Sequence, residues 1–235
     1  FLVNKNAVAD VAAPVISRWC NEWHGLEAVG NLFNVGFGLM VMLLAICLGA
    51  LYMINNIAHQ ALTLQLRRRL GQCFALFVPI LLIELFALFT MDGFAVDEAG
   101  VVSMQAGKYL HNLLQMPVVA AMFAIGAILL LLGILLTLLK KQFNKGIWLA
   151  APGTVLVVIS LFLIAGYNKT AYYPSTADIQ SSLTLSNSCS SEFTLRAMAI
   201  VSLIIPFVVA YIAYFWRKMD TPSLTKEELK HSERY

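Results

Sequence analysis

The sequence predicts an all-α, polytopic integral membrane protein with five transmembrane helices. The clearest observation is residues 117–139, a run of 23 residues without a charged side chain that ends at Lys140 and Lys141. As a helix this run would be about 34 Å long, enough to cross a hydrocarbon core of about 30 Å. Apolar residues make up 60% of the chain, charged residues 12%, and the mean hydropathy is +0.76. This composition is typical of a protein surrounded by lipid.

Residues 1–27 are predicted to form an extracytoplasmic segment before the membrane domain. Charged side chains are spread through the segment, which excludes it from the bilayer. Trp19 and Trp23 lie near its end, where aromatic rings commonly anchor a chain at the level of the lipid headgroups. The chain opens on Phe1 and not on Met. We therefore expect a fragment, or a chain numbered from an internal residue.

The predicted transmembrane domain contains five spans. The domain covers residues 28–219, and the spans are expected at about 31–54, 70–90, 117–139, 147–167 and 197–216. Pro79, Pro152 and Pro206 lie in three of them, and membrane helices tolerate proline where neighbours satisfy the freed carbonyl. In the first span Ala45 and Gly49 have the small-xxx-small spacing that lets another helix approach closely.

Polar segments connect these spans. They are expected as a turn at 59–69, an outer segment at 91–116, a turn at 140–145, an outer segment at 168–192 and a tail at 220–235. Eleven of the 16 Lys and Arg residues lie in the two turns and in the tail counted from Arg217. Because basic residues concentrate on the cytoplasmic side, the amino end is expected outside and the carboxyl terminus in the cytoplasm. Thr225 and Glu228 have the spacing of a capping box for a surface helix in the tail.

Haem and metal sites are tested first, since a redox bundle places axial ligands inside its helices. The four histidines are His24, His59, His111 and His231, and none lies deep in a predicted span. We therefore expect this chain to bind no haem alone. The cysteines lack the C-x-x-C spacing of a zinc site, and we expect no metal. Cys20 and Cys189 share the outer side, where a disulfide is conceivable, and free cysteines are the alternative.

Glu84 is the candidate proton-relay residue, because it is the charged side chain inside a predicted span. A carboxylate in hydrocarbon costs roughly 2.5 kcal/mol or more unless it is protonated, paired or facing water. A relay role, extended by Asp92 and His111, is one interpretation. A structural or interfacial role is the other, because Glu84 lies about two turns from the outer end of its span. No pattern indicates nucleic-acid binding, and a cofactor site in this chain stays unknown.

Four stretches carry a resemblance to a known family. They are NEWHGLEAVGNLFNVGFGL at 21–39, GALYMINN at 49–56, MDGFAV at 91–96 and YYPSTADIQSSLTLSNSCSSEFTL at 172–195. The last is the most specific, with a Pro-Ser turn, then S-L-T, then S-S-x-x-T-L leading into the final span. The chain resembles the carboxyl-terminal half of subunit II of cytochrome bd quinol oxidase over essentially all of its 235 residues.

This resemblance implies a four-helix bundle plus one further helix, in the bacterial inner membrane. It also implies a partner, subunit I, which carries haem b and haem d, oxidises quinol and reduces oxygen to water. Subunit II is then a non-haem scaffold that holds a quinone in a lipid-lined cleft in some members, and a small accessory subunit is a further partner to consider. The family's proton-delivery acids lie in its amino-terminal half, so no family role passes to Glu84. The alternative from another class is a secondary transporter or permease fragment.

Overall fold

The computed structural model describes residues 2–3 and 17–219. The helices are α1 Leu32–Asn56, α2 Gln60–Thr90, α3 Lys108–Gln115, α4 Pro117–Leu139, α5 Ile147–Gly166, α6 Leu185–Ser188, α7 Glu192–Ser202 and α8 Ile205–Met219. The short strands are β1 Leu2–Val3, β2 Ser17–Arg18, β3 Gly93–Val96, β4 Val102–Gln105, β5 Ala171–Tyr173 and β6 Leu183–Thr184. Two 3₁₀ helices lie at Leu26–Gly30 and Ile179–Ser181. Within the described ranges, five helical stretches are long and apolar enough to cross a membrane, which confirms the predicted fold class.

Four of the spans pack as a bundle. Helix α1 packs along α2, α4 packs along α5, and the two pairs meet through a shared apolar core. Leu51 and Phe77 represent the first pair in that core, and Ile134 and Ala150 the second. The fifth span, α7 and α8, has exposed side chains throughout except for the half-buried Thr194. The structure therefore has a four-helix bundle plus one further helix.

Helices α4 and α5 approach each other through glycines. A Cβ atom at Gly133 would lie 2.6 Å from the carbonyl oxygen of Gly146, and one at Gly126 would lie 2.8 Å from that of Gly153. Both distances are shorter than real Cβ contacts, so these positions accept no side chain. Gly49 is exposed on α1, and an added Cβ would meet no atom within 4 Å in this chain. Its role in the close approach of another helix stays a prediction.

The predicted turn at 59–69 was also wrong, because α2 begins at Gln60 and the connection from α1 is the three residues 57–59. Residues 60–69 contain no glycine or proline and are rich in Gln, Leu and Arg, which favour helix. His59 caps this helix, since its Nδ1 accepts the Leu62 backbone N–H at 3.2 Å. The basic residues therefore lie on a helix that extends beyond the apolar span.

Arg67 joins α2 to the end of α4. Its guanidinium donates to the carbonyl of Thr137 and, at 3.0 Å each, to the carbonyls of Lys141 and Phe143. It also donates to the side-chain oxygen of Asn144 at 2.8 Å. The last carbonyls of a helix have no partner within the helix, so a cation placed there satisfies them. We call the end of the bundle that holds residues 57–59 and 140–146 the turn end.

The opposite end of the bundle, which we call the sheet end, holds residues 91–116 and 167–191. The hairpin β3–β4 pairs Gly93 with Gln105 and Val96 with Val102, and β5 pairs with β6. A single bridge between Ala95 and Thr170 joins the two segments. Apolar periodicity did not predict these strands, because each is only two to four residues long.

The fifth span is interrupted. Helix α7 begins at Glu192, earlier than the predicted 197, and ends at Ser202; α8 starts at Ile205 after two turn residues. Pro206 lies in the first turn of α8, where its missing N–H costs nothing. The span is therefore divided at residues 203–204, directly before this proline.

Candidate functional site

Glu84 lies in α2, six residues before the helix ends at Thr90 at the sheet end. The residue is 8% exposed, although the apolar side chains beside it on α2 are largely exposed. Its Oε2 atom is buried and has no hydrogen-bond partner among the described residues. A buried oxygen without a partner costs about 1–3 kcal/mol, and more if it is charged. The position of this carboxyl therefore needs an explanation.

Gly36 of α1 provides the space for the carboxyl. A Cβ atom built on Gly36 would overlap Oε1 of Glu84 and would lie 3.0 Å from its carboxyl carbon. The carboxyl group thus occupies a recess in α1 that the missing side chain leaves. By contrast, Gly38 of the same helix has no atom within 4 Å of its Cβ position.

A cavity of about 90 Å³ is lined in part by Glu84. All four packed helices line it, and four phenylalanines contribute to its wall: Phe33, Phe37, Phe77 and Phe123. The polar side chains of the lining are Glu84 and Thr154, whose hydroxyl donates to the carbonyl of Ala150 at 2.8 Å. Glu84 is the titratable residue of this lining. The lining of the cavity is therefore apolar apart from Glu84 and Thr154.

The other residues of the predicted relay do not join Glu84. Asp92 and His111 are exposed at the sheet end, and neither lines the cavity. His24 is exposed before the first 3₁₀ helix and His59 caps α2 at the turn end. His231 lies outside the described residues. Within residues 17–219, no group of three or more His, Cys, Asp or Glu residues is arranged to hold a metal ion.

The cysteines are free thiols in the structure. Cys20 and Cys189 are exposed, and neither is paired with the other. Cys47 is completely buried in the bundle core, where Cys73 packs against the same cluster. Of the two alternatives that the sequence left open, the structure shows the unpaired one.

Sequence reasoning missed a polar cluster at the sheet end, centred on Asn112 of α3. This side chain is completely buried and donates to the Ile164 carbonyl at 2.9 Å and to the Thr170 hydroxyl at 2.8 Å. Its oxygen accepts from Asn168 at 3.1 Å. The cluster ties α3 to the end of α5 and to the strand that follows. The signal was a spacing: Lys108, Tyr109 and Asn112 lie on one face of a short helix.

Two ionisable groups beside Asn112 are also buried. Burial lowers the pKa of Lys108, and the charge of Lys169 lowers it further. Burial raises the pKa of the Tyr109 phenol. Both shifts disfavour the charged form, as expected for groups that lose water without gaining an opposite charge.

Comparison with known proteins identifies the family. The family model described as "Cytochrome bd terminal oxidase subunit II" matches residues 6–219. The chain belongs to this family. Similar relatives are the "Cytochrome bd-I ubiquinol oxidase subunit 2" proteins of Escherichia coli strains K12, O6:H1 and O157:H7, each 26% identical over 234 residues. These alignments cover 90% of this chain and 59% of each relative, so the chain spans well under two thirds of their length.

Membership in the cytochrome bd subunit II family confirms the resemblance carried by residues 172–195, and nothing in these comparisons supports a transporter. The fold explains why that stretch is specific. It forms much of the sheet end, and its polar residues provide backbone partners: the Ser182 hydroxyl accepts the Ser175 N–H at 3.0 Å, and Asn187 accepts the Thr184 N–H at 2.7 Å. Substitution at such positions leaves a backbone group unpaired.

Proposed function

We propose that this chain is subunit II of a cytochrome bd-type terminal oxidase in an aerobic respiratory chain. It acts as the non-haem scaffold for subunit I, which oxidises quinol and reduces oxygen to water. The observation that carries this proposal is the family match over residues 6–219. The five apolar spans support it, because a scaffold for a membrane-embedded redox subunit has to cross the bilayer with it.

Haem b and haem d are assigned to the partner subunit. In the bundle helices of the described chain no histidine lies in an apolar span, and the lining of the central cavity contains no histidine or cysteine. The residues present therefore do not fit a haem site within this bundle. A bound quinone, lipid and a small accessory subunit are further proposed partners. The exposed apolar surface of α7 and α8 supports lipid or protein contact there.

The turn end is proposed to face the cytoplasm and the sheet end the outside of the bacterial inner membrane. The basic residues Arg68, Arg69, Lys140, Lys141 and Lys145 lie at the turn end. Among the described residues no Asp or Glu accompanies them there, whereas Asp92, Asp97 and Glu98 lie at the sheet end. This distribution is the positive-inside pattern, and it supports a carboxyl terminus in the cytoplasm.

Glu84 is the proposed proton-relay residue of the chain. The support is its buried position beside a central cavity, together with an oxygen that has no partner among the described residues. An ionisable side chain inside a membrane span is costly and is typically retained for function.

The experiment that tests the subunit assignment is an affinity purification through this chain. The reduced-minus-oxidised visible spectrum and the quinol-driven oxygen consumption are measured on the same detergent-purified sample. We expect haem b and haem d bands together with oxidase activity. A colourless, inactive preparation that still contains stable partners would contradict the proposal, and substrate uptake into vesicles would then test the transporter alternative.

A further inference from the structure

The loop that joins α4 to α5 at the turn end carries three lysines and no acid. Lys140, Lys141 and Lys145 are exposed, and they form no ion pair within the described residues. The sequence contains no Asp or Glu in residues 28–83 or 99–177, and these stretches include the whole turn end. The loop is therefore a patch of positive charge that the described part of the chain does not balance.

The shape of this loop is fixed by Arg67 and not by the lysines. The Arg67 guanidinium donates to the backbone carbonyls of Lys140, at 3.3 Å, and of Lys141, at 3.0 Å. It also donates to the carbonyl of Phe143 at 3.0 Å. The last carbonyls of a helix carry partial negative charge and attract nearby cations. Because Arg67 already satisfies these carbonyls, the ammonium groups of Lys140 and Lys141 stay available for another anion.

Two further features of the loop favour an anion. A shallow, open groove is lined by residues 140–143. At the other end of the loop α5 begins, and its N-cap residue, Gly146, has no side chain to cap the first N–H groups of the helix. The start of a helix carries partial positive charge, and Lys145 directly precedes it. The charge of the helix terminus therefore adds to that of the lysines.

The loop lies at the boundary between the hydrocarbon and the lipid headgroups. The apolar span of α4 ends at Leu139, and that of α5 begins at Ile147. Leu139 is 77% exposed and Trp148 is 71% exposed, so both present apolar surface next to the lysines in the chain. Tryptophan is enriched at this depth of the membrane. The α4–α5 hairpin thus offers cations to a headgroup and apolar side chains to the acyl chains below it.

From this arrangement we propose that Lys140, Lys141 and Lys145 bind the headgroup phosphate of an anionic phospholipid, whose acyl chains contact Leu139 and Trp148. Basic pockets between membrane helices bind lipid headgroups in this way. Charge complementarity selects an anionic lipid, because the choline group of a zwitterionic lipid would meet the same ammonium groups. The inference rests on the two spans and their loop and does not depend on the oxidase assignment.

The test is a titration of the detergent-purified complex with phosphatidylglycerol, with the bound lipid counted by native mass spectrometry. We expect Lys140→Gln/Lys141→Gln to bind this lipid about thirtyfold more weakly than wild type, because each lysine near an anionic headgroup contributes about fivefold. Lys140→Arg/Lys141→Arg keeps both charges and should bind within about twofold of wild type. A loss in the arginine variant as large as that in the glutamine variant would show that charge does not hold the lipid, and would overturn the inference.

The matched control is Lys169→Gln/Arg196→Gln, which changes the net charge by the same amount. These two cations pair with Glu98 and Glu192, at 3.1 Å and 2.6 Å, so they are not available to a lipid phosphate. We expect this variant to bind phosphatidylglycerol as wild type does. Equal losses in the two glutamine variants would mean that net charge alone attracts the lipid, and the loop would then not be a site.

Two further ligands identify the occupant. Phosphatidylcholine should bind wild type about tenfold more weakly than phosphatidylglycerol, and this difference should vanish in Lys140→Gln/Lys141→Gln. Soluble glycerol phosphate carries the same anion without acyl chains and should not displace bound phosphatidylglycerol. Equal binding of the two lipids to wild type would refute recognition by charge, and displacement by glycerol phosphate would replace the lipid site with a site for a soluble anion.

Discussion

The two helix pairs of the bundle pack in different ways. Helices α4 and α5 touch backbone to backbone, with Gly126 against Gly153 and Gly133 against Gly146. Helices α1 and α2 pack through side chains, and the one glycine of α1 that faces α2 closely, Gly36, accommodates the carboxyl of Glu84. The first contact brings two backbones together, whereas the second leaves a recess for the Glu84 carboxyl; the cavity beside that carboxyl is lined by all four helices.

This difference shows how one small bundle combines a closely packed helix pair with a pair that accommodates a buried acid. Without a hydrophobic driving force between helices in lipid, close van der Waals packing of glycine faces provides much of the attraction. The α4–α5 pair, held at the turn end by Arg67, therefore fixes the frame. The α1–α2 pair then tolerates a buried acid that costs stability, because its cost is offset elsewhere in the bundle.

The largest expected loss of stability follows from a side chain placed in the glycine contact between α4 and α5. Gly133→Val places a branched side chain 2.6 Å from the Gly146 carbonyl, where backbone and not a flexible side chain has to move. We expect a loss of about 3 kcal/mol or more in the free energy of unfolding, measured by thermal denaturation in detergent. Gly49→Val, which meets no atom within 4 Å, is the control and should change stability by less than about 0.5 kcal/mol. Similar losses in both variants would show that valine itself, and not the contact, is responsible.

The next largest loss of stability is expected when the hydrogen bonds of Arg67 at the turn end are removed. Arg67→Gln removes the donors that satisfy the carbonyls of Lys141 and Phe143, so we expect a loss of about 2 kcal/mol. Hydrogen exchange of the amides in residues 140–146 should accelerate together with the fall in melting temperature. Arg68→Gln removes the same charge from an exposed neighbour and should leave both unchanged. Equal effects would mean that net charge, and not the hydrogen bonds, stabilises this end.

The spans could be predicted from sequence because lipid requires long uncharged runs. Residues 117–139 were predicted to the residue, since Pro117 suits the first position of a helix and Lys140 follows its end. The start of α2 was missed because hydropathy marks only the part of a helix that lies in lipid. The helix begins at Gln60, ten residues before the predicted span at 70–90. The two outer segments of the sheet end were predicted, but their strands were missed because two to four residues are too few to show a period.

For the candidate site, Glu84 was predictable and its surroundings were not. A charge in an apolar run is visible in the sequence alone. The role of Gly36, in contrast, can be recognised only once α1 is known to pack against α2. The glycine contacts between α4 and α5 likewise depend on an antiparallel packing in one register. Asn112 likewise bonds to Ile164 and Thr170, partners that are distant in the chain.

The smallest expected change in stability concerns Lys108, a buried lysine at the sheet end. Because burial and Lys169 lower the pKa of Lys108 from 10.5, its charged form costs the folded state stability at every pH below the lowered pKa. That cost disappears as the pH rises through the interval up to 10.5. Lys108→Met should therefore raise the melting temperature by about 2 °C at neutral pH, and the gain should shrink towards alkaline pH.

The phenol of Tyr109 works in the opposite direction in the same alkaline range. Its raised pKa gives stability that is lost as the pH rises through the folded value. Wild type and Lys108→Met share this residue, so the difference between their melting curves isolates the lysine. Lys145→Met, which removes an exposed lysine at the turn end, should show no such pH-dependent difference from wild type. A Lys108→Met gain that stays constant from neutral to alkaline pH would mean that the methionine stabilises through packing and that the buried charge costs nothing.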